Sequence, residues 1–205
     1  MNNDSSLDEN DTKAIDIAKD IIKSFEGLSL VSYYCPAKQK TIGYGHVIKA
    51  NEQHKIAEQI TKTQAENLLK QDVKKACRIL SKYCFVPLAI TQQAALISFI
   101  FNCGSGAFQS SSLRQKLNRG EYTLAADELL KWVYAGGIKL NGLVKRRALE
   151  RKVFLSEVSN LSNNTTGSSR NVLMPSSYLH CKEKYGIIHA IRDFCKKFNQ
   201  KLKQA

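Results

Sequence analysis

The stretch FEGLSLVSYYCPAKQKTIGYGH, residues 25–46, closes one helix, changes period and folds back on itself. Upstream of it, Ile15, Ala18, Ile22 and Phe25 recur at three- and four-residue spacing, the apolar stripe of an amphipathic helix beginning near Lys13. Gly27 follows as a stop signal. Glu26 therefore falls in the last turn, at the negative end of the helix dipole, which disfavours a further negative charge. LVSYY then reads as a strand, PAKQ as a turn and KTIGYG as a second short strand. Between Glu26 and His46 there is no other Asp or Glu, and the polar side chain nearest the right place for a partner is the thiol of Cys35.

Working outward, the remaining periodicity is helical. Thr63 and Glu66 are spaced as a capping box for a helix running to about Tyr83, with Leu69, Val73, Ala76 and Leu80 on one face. Thr91 is placed to cap QQAALISFIFN, which is apolar nearly all round and predicts the central buried helix. Serines 110–112 start a short helix that ends before Gly120, and Thr123 starts another through Trp132. AGGIKLNG reads as a glycine-rich loop before LVKRRALERKVFLSEV, the last helix of the domain.

The flanks differ in composition. Residues 1–12 carry four acids and no base and read as a disordered acidic tail. The expected domain covers 13–157, a polar linker covers 158–175, and 176–205 reads as a basic helix with Ile187, Ile188, Ile191, Phe194 and Phe198 on a stripe. Three roles fit that helix: a membrane-surface or envelope-binding element, packing on the domain, or a remnant.

The chain has 31 Lys and Arg against 18 Asp and Glu, a net charge of +13, which favours a polyanionic partner. Residues 156–205 hold eight bases and three acids, so most of the excess lies in the main domain. No stretch approaches the roughly 20 apolar residues of a membrane helix. The N-terminus, MNNDSSLDENDTK, lacks the features of a secretory signal, and synthesis in a cytoplasm is expected. The six cysteines include no CxxC pair, which makes a structural zinc site improbable. Cys77, Cys84 and Cys103 lie in apolar helical surroundings and are expected to be buried thiols.

The spacing Glu26-x8-Cys35-x5-Thr41, running into Ile-Gly-Tyr-Gly-His, resembles the phage-type lysozymes, the muramidase endolysins of glycoside hydrolase family 24. QQAALISFIFNCGSGAF, SSSLRQKLNRG, a Trp-containing helix and GGIKLNGLVKRRALE follow in family order, and the likeness covers about residues 14–156. The resemblance implies an α+β, mainly α fold, with a small β-hairpin lobe, a larger helical lobe and a cleft between them. It implies cleavage of the β-1,4 bond between N-acetylmuramic acid and N-acetylglucosamine, with no cofactor and no metal. The chain departs from the family in the turn after Cys35, where glycine is common and Pro36-Ala37-Lys38-Gln39 stands here.

The resemblance assigns the catalytic residues as Glu26, Cys35 and Thr41. Glycosidic cleavage needs a proton donor and a second group on the opposite sugar face. Glu26 suits the donor. Cys35 serves either as base through its thiolate, with Thr41 holding the water, or as a direct nucleophile. The first inverts and the second retains. A catalytic thiol is also open to shut-off by oxidation or disulfide formation. The expected substrate-binding set is His46, Val47, Phe101, Asn102, Ser112, Arg146 and Arg147; Asn102 and Ser112 match positions where the family contacts sugar, and Val47 and Phe101 flank them and line the cleft. His46 either pairs with Glu26 or orients the hairpin. Arg146 and Arg147 match a basic pair, and either one of them holds Glu26 or both form a solvated face.

Two other functions compete. A lytic transglycosylase would use Glu26 alone and leave 1,6-anhydro ends; Cys35 and Thr41 on the water side argue against it. A non-enzymatic peptidoglycan- or nucleic-acid-binding protein would use the basic charge alone. No basic patch interleaved with aromatics appears, so nucleic acid is not expected. The expected partners are peptidoglycan glycan strands and an anionic envelope surface reached through the basic tail, for a monomer that meets the periplasmic or cell-wall polymer after membrane lesion.

Overall fold

The structure is a computed structural model and describes residues 9–35 and 38–156. The linker and basic C-terminal helix expected over 158–205 lie outside the described residues. Helix α1, Glu9–Phe25, begins earlier than its apolar stripe suggests. The last residues of the acidic stretch form its first turn, because Glu9 and Asp11 oppose the positive end of the dipole and Lys13 reaches back to Glu9 at 2.6 Å. The tail expected to be disordered over 1–12 is therefore corrected at Glu9–Thr12.

The next segment forms a three-stranded antiparallel sheet, one strand more than the expected hairpin: β1 Ser29–Tyr34, β2 Lys40–Gly43 and β3 His46–Val47, in that spatial order. Tyr33 pairs with Thr41, Tyr34 with Lys40 and Ile42 with His46, and β1 carries a bulge between Ser29 and Tyr33. The outer edge of β1 is covered rather than left open. Ser32 N–H donates to Glu58 O at 2.9 Å and Ile60 N–H to Leu30 O at 2.8 Å.

Helix α2, Lys62–Tyr83, spans about 33 Å at 1.5 Å per residue. It packs on the sheet at one end and on α1 and the helical lobe along its length. Its capping box is Thr61 with Gln64, not Thr63 with Glu66: Gln64 N–H donates to Thr61 Oγ1 at 3.2 Å, and Thr61 N–H to Gln64 Oε1 at 2.7 Å. Glu66 is taken up by tertiary contacts instead, accepting from Lys23 at 2.6 Å and from the Tyr44 hydroxyl at 3.0 Å.

Helix α3, Ile90–Cys103, is the expected central helix, packed against α1, α2 and α7. Ala94, Ala95, Leu96, Ile97 and Phe99 are fully enclosed. Thr91 is not its cap. The helix starts two residues earlier, at Ile90, Gln92 reaches back to accept from Ala89 N–H at 3.0 Å, and Thr91 is buried inside the first turn.

The helical lobe continues with α4, Ser105–Ser110, and α5, Ser112–Asn118, whose N-cap Ser111 accepts from Arg114 N–H at 3.1 Å. Helix α6, Tyr122–Leu129, stops short of Trp132, whose ring meets Phe99 edge-on with centroids 5.3 Å apart. The expected glycine-rich loop is partly a hairpin, β4 Tyr134–Ala135 with β5 Ile138–Lys139. Gly136 and Gly137 take φ of +57° and +79° at its tip, the two positive values a tight hairpin turn of this hand requires. Helix α7, Asn141–Leu155, closes the domain against α3.

Candidate active site

Glu26 follows α1 directly, its N–H donating to Ile22 O at 2.9 Å, so its backbone is fixed by the helix. Its side chain is about a quarter exposed, at 26%. One oxygen, Oε1, accepts from Arg146 Nη1 at 2.7 Å. Arg146 comes from α7, is itself only 2% exposed, and lies over the Phe25 ring at 5.6 Å. The other oxygen, Oε2, faces Gly45 in the β2–β3 turn, and a Cβ built there would lie 3.5 Å from it. Gly45 has φ +83°, so the turn that leaves this side of the carboxyl open also needs a residue without a side chain.

Cys35 and Thr41 are brought together at the opposite end of the same sheet by one acceptor. The carbonyl of Gln39 accepts both Cys35 N–H and the Thr41 hydroxyl, each at 3.0 Å. The Cys35 carbonyl accepts Lys38 N–H at 2.8 Å, and Lys38 has φ +57°. Lys38 thus takes the left-handed conformation a turn glycine would adopt without strain. Cys35 is half-buried, whereas Thr41 is 3% exposed with its proton committed to Gln39, leaving its oxygen as an acceptor.

His46 does not pair with Glu26. It is 5% exposed, and its Nδ1 lies 2.6 Å from Asp72 Oδ2 on α2, with Nε2 3.7 Å from Glu52 Oε2. Burial alone would push the Asp72 carboxyl up. The hydrogen bond and charge of His46, together with Lys75, outweigh it and hold Asp72 below its ordinary value. His46, Val47 and Phe101 line one groove, with Gly45, Asp72 and Ser105 among its other walls.

The basic pair is not a solvated face. Arg147 is fully buried on α7, stacked over Phe99 at 4.9 Å, and its Nη2 donates to Asn102 Oδ1 at 2.6 Å. Asn102 is exposed, so Arg147 reaches the surface through it. Ser112 donates to Glu128 Oε2 at 2.7 Å. Glu128 also accepts from Lys116 and Lys131, and these three donors, Lys116 foremost, pull its carboxyl from 4.5 down to about 2.

Three acidic residues found here were not singled out in the sequence: Asp72, Glu128 and Glu150. Each has a cation three or four residues away, Lys75, Lys131 and Arg146 with Arg147. Their longer-range partners, His46, Lys116 with Ser112, and Ser98, are set by tertiary packing. Of the thiols expected to be buried, Cys77 is, while Cys84 and Cys103 are only partly covered, and burial pushes both of the latter up. Among the described residues no group of three or more His, Cys, Asp or Glu could hold a metal ion, and no helix is long and apolar enough to cross a membrane.

Residues 23–150 match the family model for phage lysozyme, a span that runs from the end of α1 to Glu150 and holds every residue of this site. The chain belongs to the phage lysozyme family. It is 43% identical over 159 residues to an endolysin of Bacillus phage B103, covering 77% of this chain and 56% of that protein. It is 40% identical over 140 residues to an endolysin of Acyrthosiphon pisum secondary endosymbiont phage 1, covering 66% of this chain and 93% of that one. Among solved structures, an endolysin from Escherichia coli O157:H7 phage FAHEc1 superposes with a TM-score of 0.61 at 31% identity, covering 77% of this chain and 98% of that one. The muramidase domain of SpmX from Asticaccaulis excentricus gives 0.60 at 33%, covering 67% and 94%. The chain thus spans little more than half the length of the Bacillus phage relative and nearly all of the others.

Proposed function

We propose that this chain is an endolysin that hydrolyses the β-1,4 bond between N-acetylmuramic acid and N-acetylglucosamine in peptidoglycan. The observation that carries the reading is the state of Glu26. A buried arginine fixes one carboxyl oxygen, while the other faces a glycine that lines the groove. A proton donor to a glycosidic oxygen needs that combination of fixed orientation and one accessible oxygen.

In this reading Glu26 protonates the leaving oxygen. Cys35 supplies the second group, as base for a water held by the Thr41 oxygen or as the nucleophile. An ordinary thiol, with a pKa near 8.5 against about 3.9 for Asp, is mostly neutral at pH 7, so a thiolate base would make activity rise with pH above neutrality. Val47, Phe101 and Asn102 contact the glycan, and Ser112 contacts it from the helical lobe. His46, Arg146 and Arg147 act behind that surface, holding the sheet, the proton donor and Asn102. The protein works as a monomer on glycan strands, and its positive charge favours the anionic envelope around them.

The test is digestion of purified peptidoglycan with analysis of product ends, for wild type, Glu26→Gln and Cys35→Ser. New reducing ends with wild type, and none with either variant, support the proposal. Anhydro ends that depend on Glu26 alone would make the chain a transglycosylase. Full activity of Cys35→Ser would remove the thiol from the mechanism.

A further inference from the structure

Behind Glu26 lies a closed set of charges that the reaction does not touch. Glu150 on α7 is 0% exposed. Its Oε1 accepts from Ser98 Oγ at 2.7 Å and from Arg146 Nε at 3.2 Å, and its Oε2 lies 2.9 Å from Arg147 Nη1. The two arginines point onward, Arg146 to Glu26 at 2.7 Å and Arg147 to Asn102 at 2.6 Å. Ser98 reinforces the frame, its carbonyl accepting from Arg146 Nη2 at 3.4 Å. One buried carboxylate therefore anchors both side chains that reach the cleft.

We infer that Glu150 is a positioning residue for the reaction: by sharing Arg146 and Arg147 it holds them in place and tempers the positive charge they present to Glu26. This rests on the reading of Glu26 as the proton donor. Two buried guanidiniums without a counter-charge are strongly unfavourable, and two carboxylates opposite two guanidiniums balance. Arg146 serves both carboxylates, so whatever charge Glu150 does not neutralise falls on Glu26. A donor must keep its proton near neutral pH, and an arginine devoted to it alone would take that proton away. The other titratable group against the cluster is Cys103, 3.7 Å from Arg147, and burial pushes its thiol up, so it adds no charge near neutrality. The Phe25 and Phe99 rings cover the two guanidiniums and carry none.

Two substitutions should move the site in opposite directions. Glu150→Gln removes the counter-charge from Arg146 and Arg147 and leaves Glu26 the one carboxylate on Arg146, so the alkaline limb of the activity profile should shift down by about one pH unit, the low end of what one neighbouring charge does to a carboxyl. Arg147→Met leaves Glu150 entirely to Arg146, and the limb should move up. Glu150→Gln combined with Arg147→Met restores the balance and should return it toward wild type. A merely structural role for Glu150 would lower activity at every pH without moving the limb.

The experiment is the pH profile of peptidoglycan digestion by the full chain and these three variants, with a carbon-13 NMR titration of the Glu26 carboxyl in the same folded proteins. Opposite shifts of the carboxyl in Glu150→Gln and Arg147→Met, with the activity limb following, support the inference. If the carboxyl shifts and the limb does not, Glu150 does what is inferred and Glu26 is not the donor. If Glu150→Gln does not fold, Arg147→Met decides by itself, since an upward shift supports the inference. Unmoved titration in every variant that folds overturns it.

Discussion

His46 and Asp72 join the small sheet to helix α2 through one short contact, Nδ1 to Oδ2 at 2.6 Å. Asp72 is held below its ordinary carboxyl value, so the sign of its pH dependence is fixed. A carboxyl lowered by folding stabilises the native state above its unfolded value, near pH 3.9, and loses that contribution as the pH falls through the folded value. Asp72→Asn should cost about 1–3 kcal/mol near pH 6, the range for leaving a buried hydrogen-bonding partner unmatched. The gap to wild type should narrow below about pH 4. Urea unfolding of both proteins at pH 6 and pH 3 checks this, and a gap of equal size at the two pH values would rule the pairing out as its source.

Glu128 should show the same sign over a defined window. Its carboxyl is pulled from 4.5 to about 2, so its contribution is present above pH 4.5 and disappears as pH falls toward 2. Thermal melts of wild type and Glu128→Gln should separate at pH 6 and converge between pH 4.5 and 2. Because the side chain is enclosed while Lys131 is largely exposed, Lys131→Ala should matter less than Lys116→Ala.

These pairs mark the boundary of what could be read without the structure. The run from Ile15 to Phe25, the strands after Gly27 and the apolar helix at 92–103 were legible because each is a local pattern of period 3.6 or 2. Glu26 was legible for the same reason, as the acid at a helix end before a change of period. The capping box of α2 was misplaced at Thr63 and Glu66, because Thr61 and Gln64 carry the same spacing two residues earlier and Glu66 is engaged by Lys23 and Tyr44. The β4–β5 hairpin escaped because its strands are two residues long and give no alternation to read. Arg146 was recognised as a possible holder of Glu26, but the partners lie 120 residues apart, and the choice between a buried clamp and a solvated face belonged to tertiary packing.

Phe99 ties the charged cluster to the core. It is fully buried, meets Trp132 edge-on and lies beneath the Arg147 guanidinium at 4.9 Å. Phe99→Ala should cost about 3–5 kcal/mol from lost burial and the cavity left behind. It should also reduce activity at temperatures where the variant is still fully folded, because Arg147 and hence Asn102 lose their support. Denaturant unfolding gives the first quantity and digestion rates well below the melting point give the second.

Gly45 offers the sharpest separation of stability from chemistry, because Gly43 serves as its control. Both have positive φ, +83° and +68°, so alanine at either pays the left-handed penalty of about 1–2 kcal/mol. Their surroundings differ. A Cβ at 43 would meet Ala65 at 3.5 Å, within the packed contact between β2 and α2. A Cβ at 45 would stand 3.5 Å from Glu26 Oε2, the carboxyl oxygen Arg146 does not hold and the one that delivers the proton in the proposed mechanism. Gly43→Ala and Gly45→Ala should therefore unfold at similar denaturant concentrations. Only Gly45→Ala should lose peptidoglycan digestion by about tenfold or more, equivalent to about 1.4 kcal/mol of transition-state stabilisation. Equal activity losses in the two variants would mean that the strained turn, and not access to Oε2, limits the reaction.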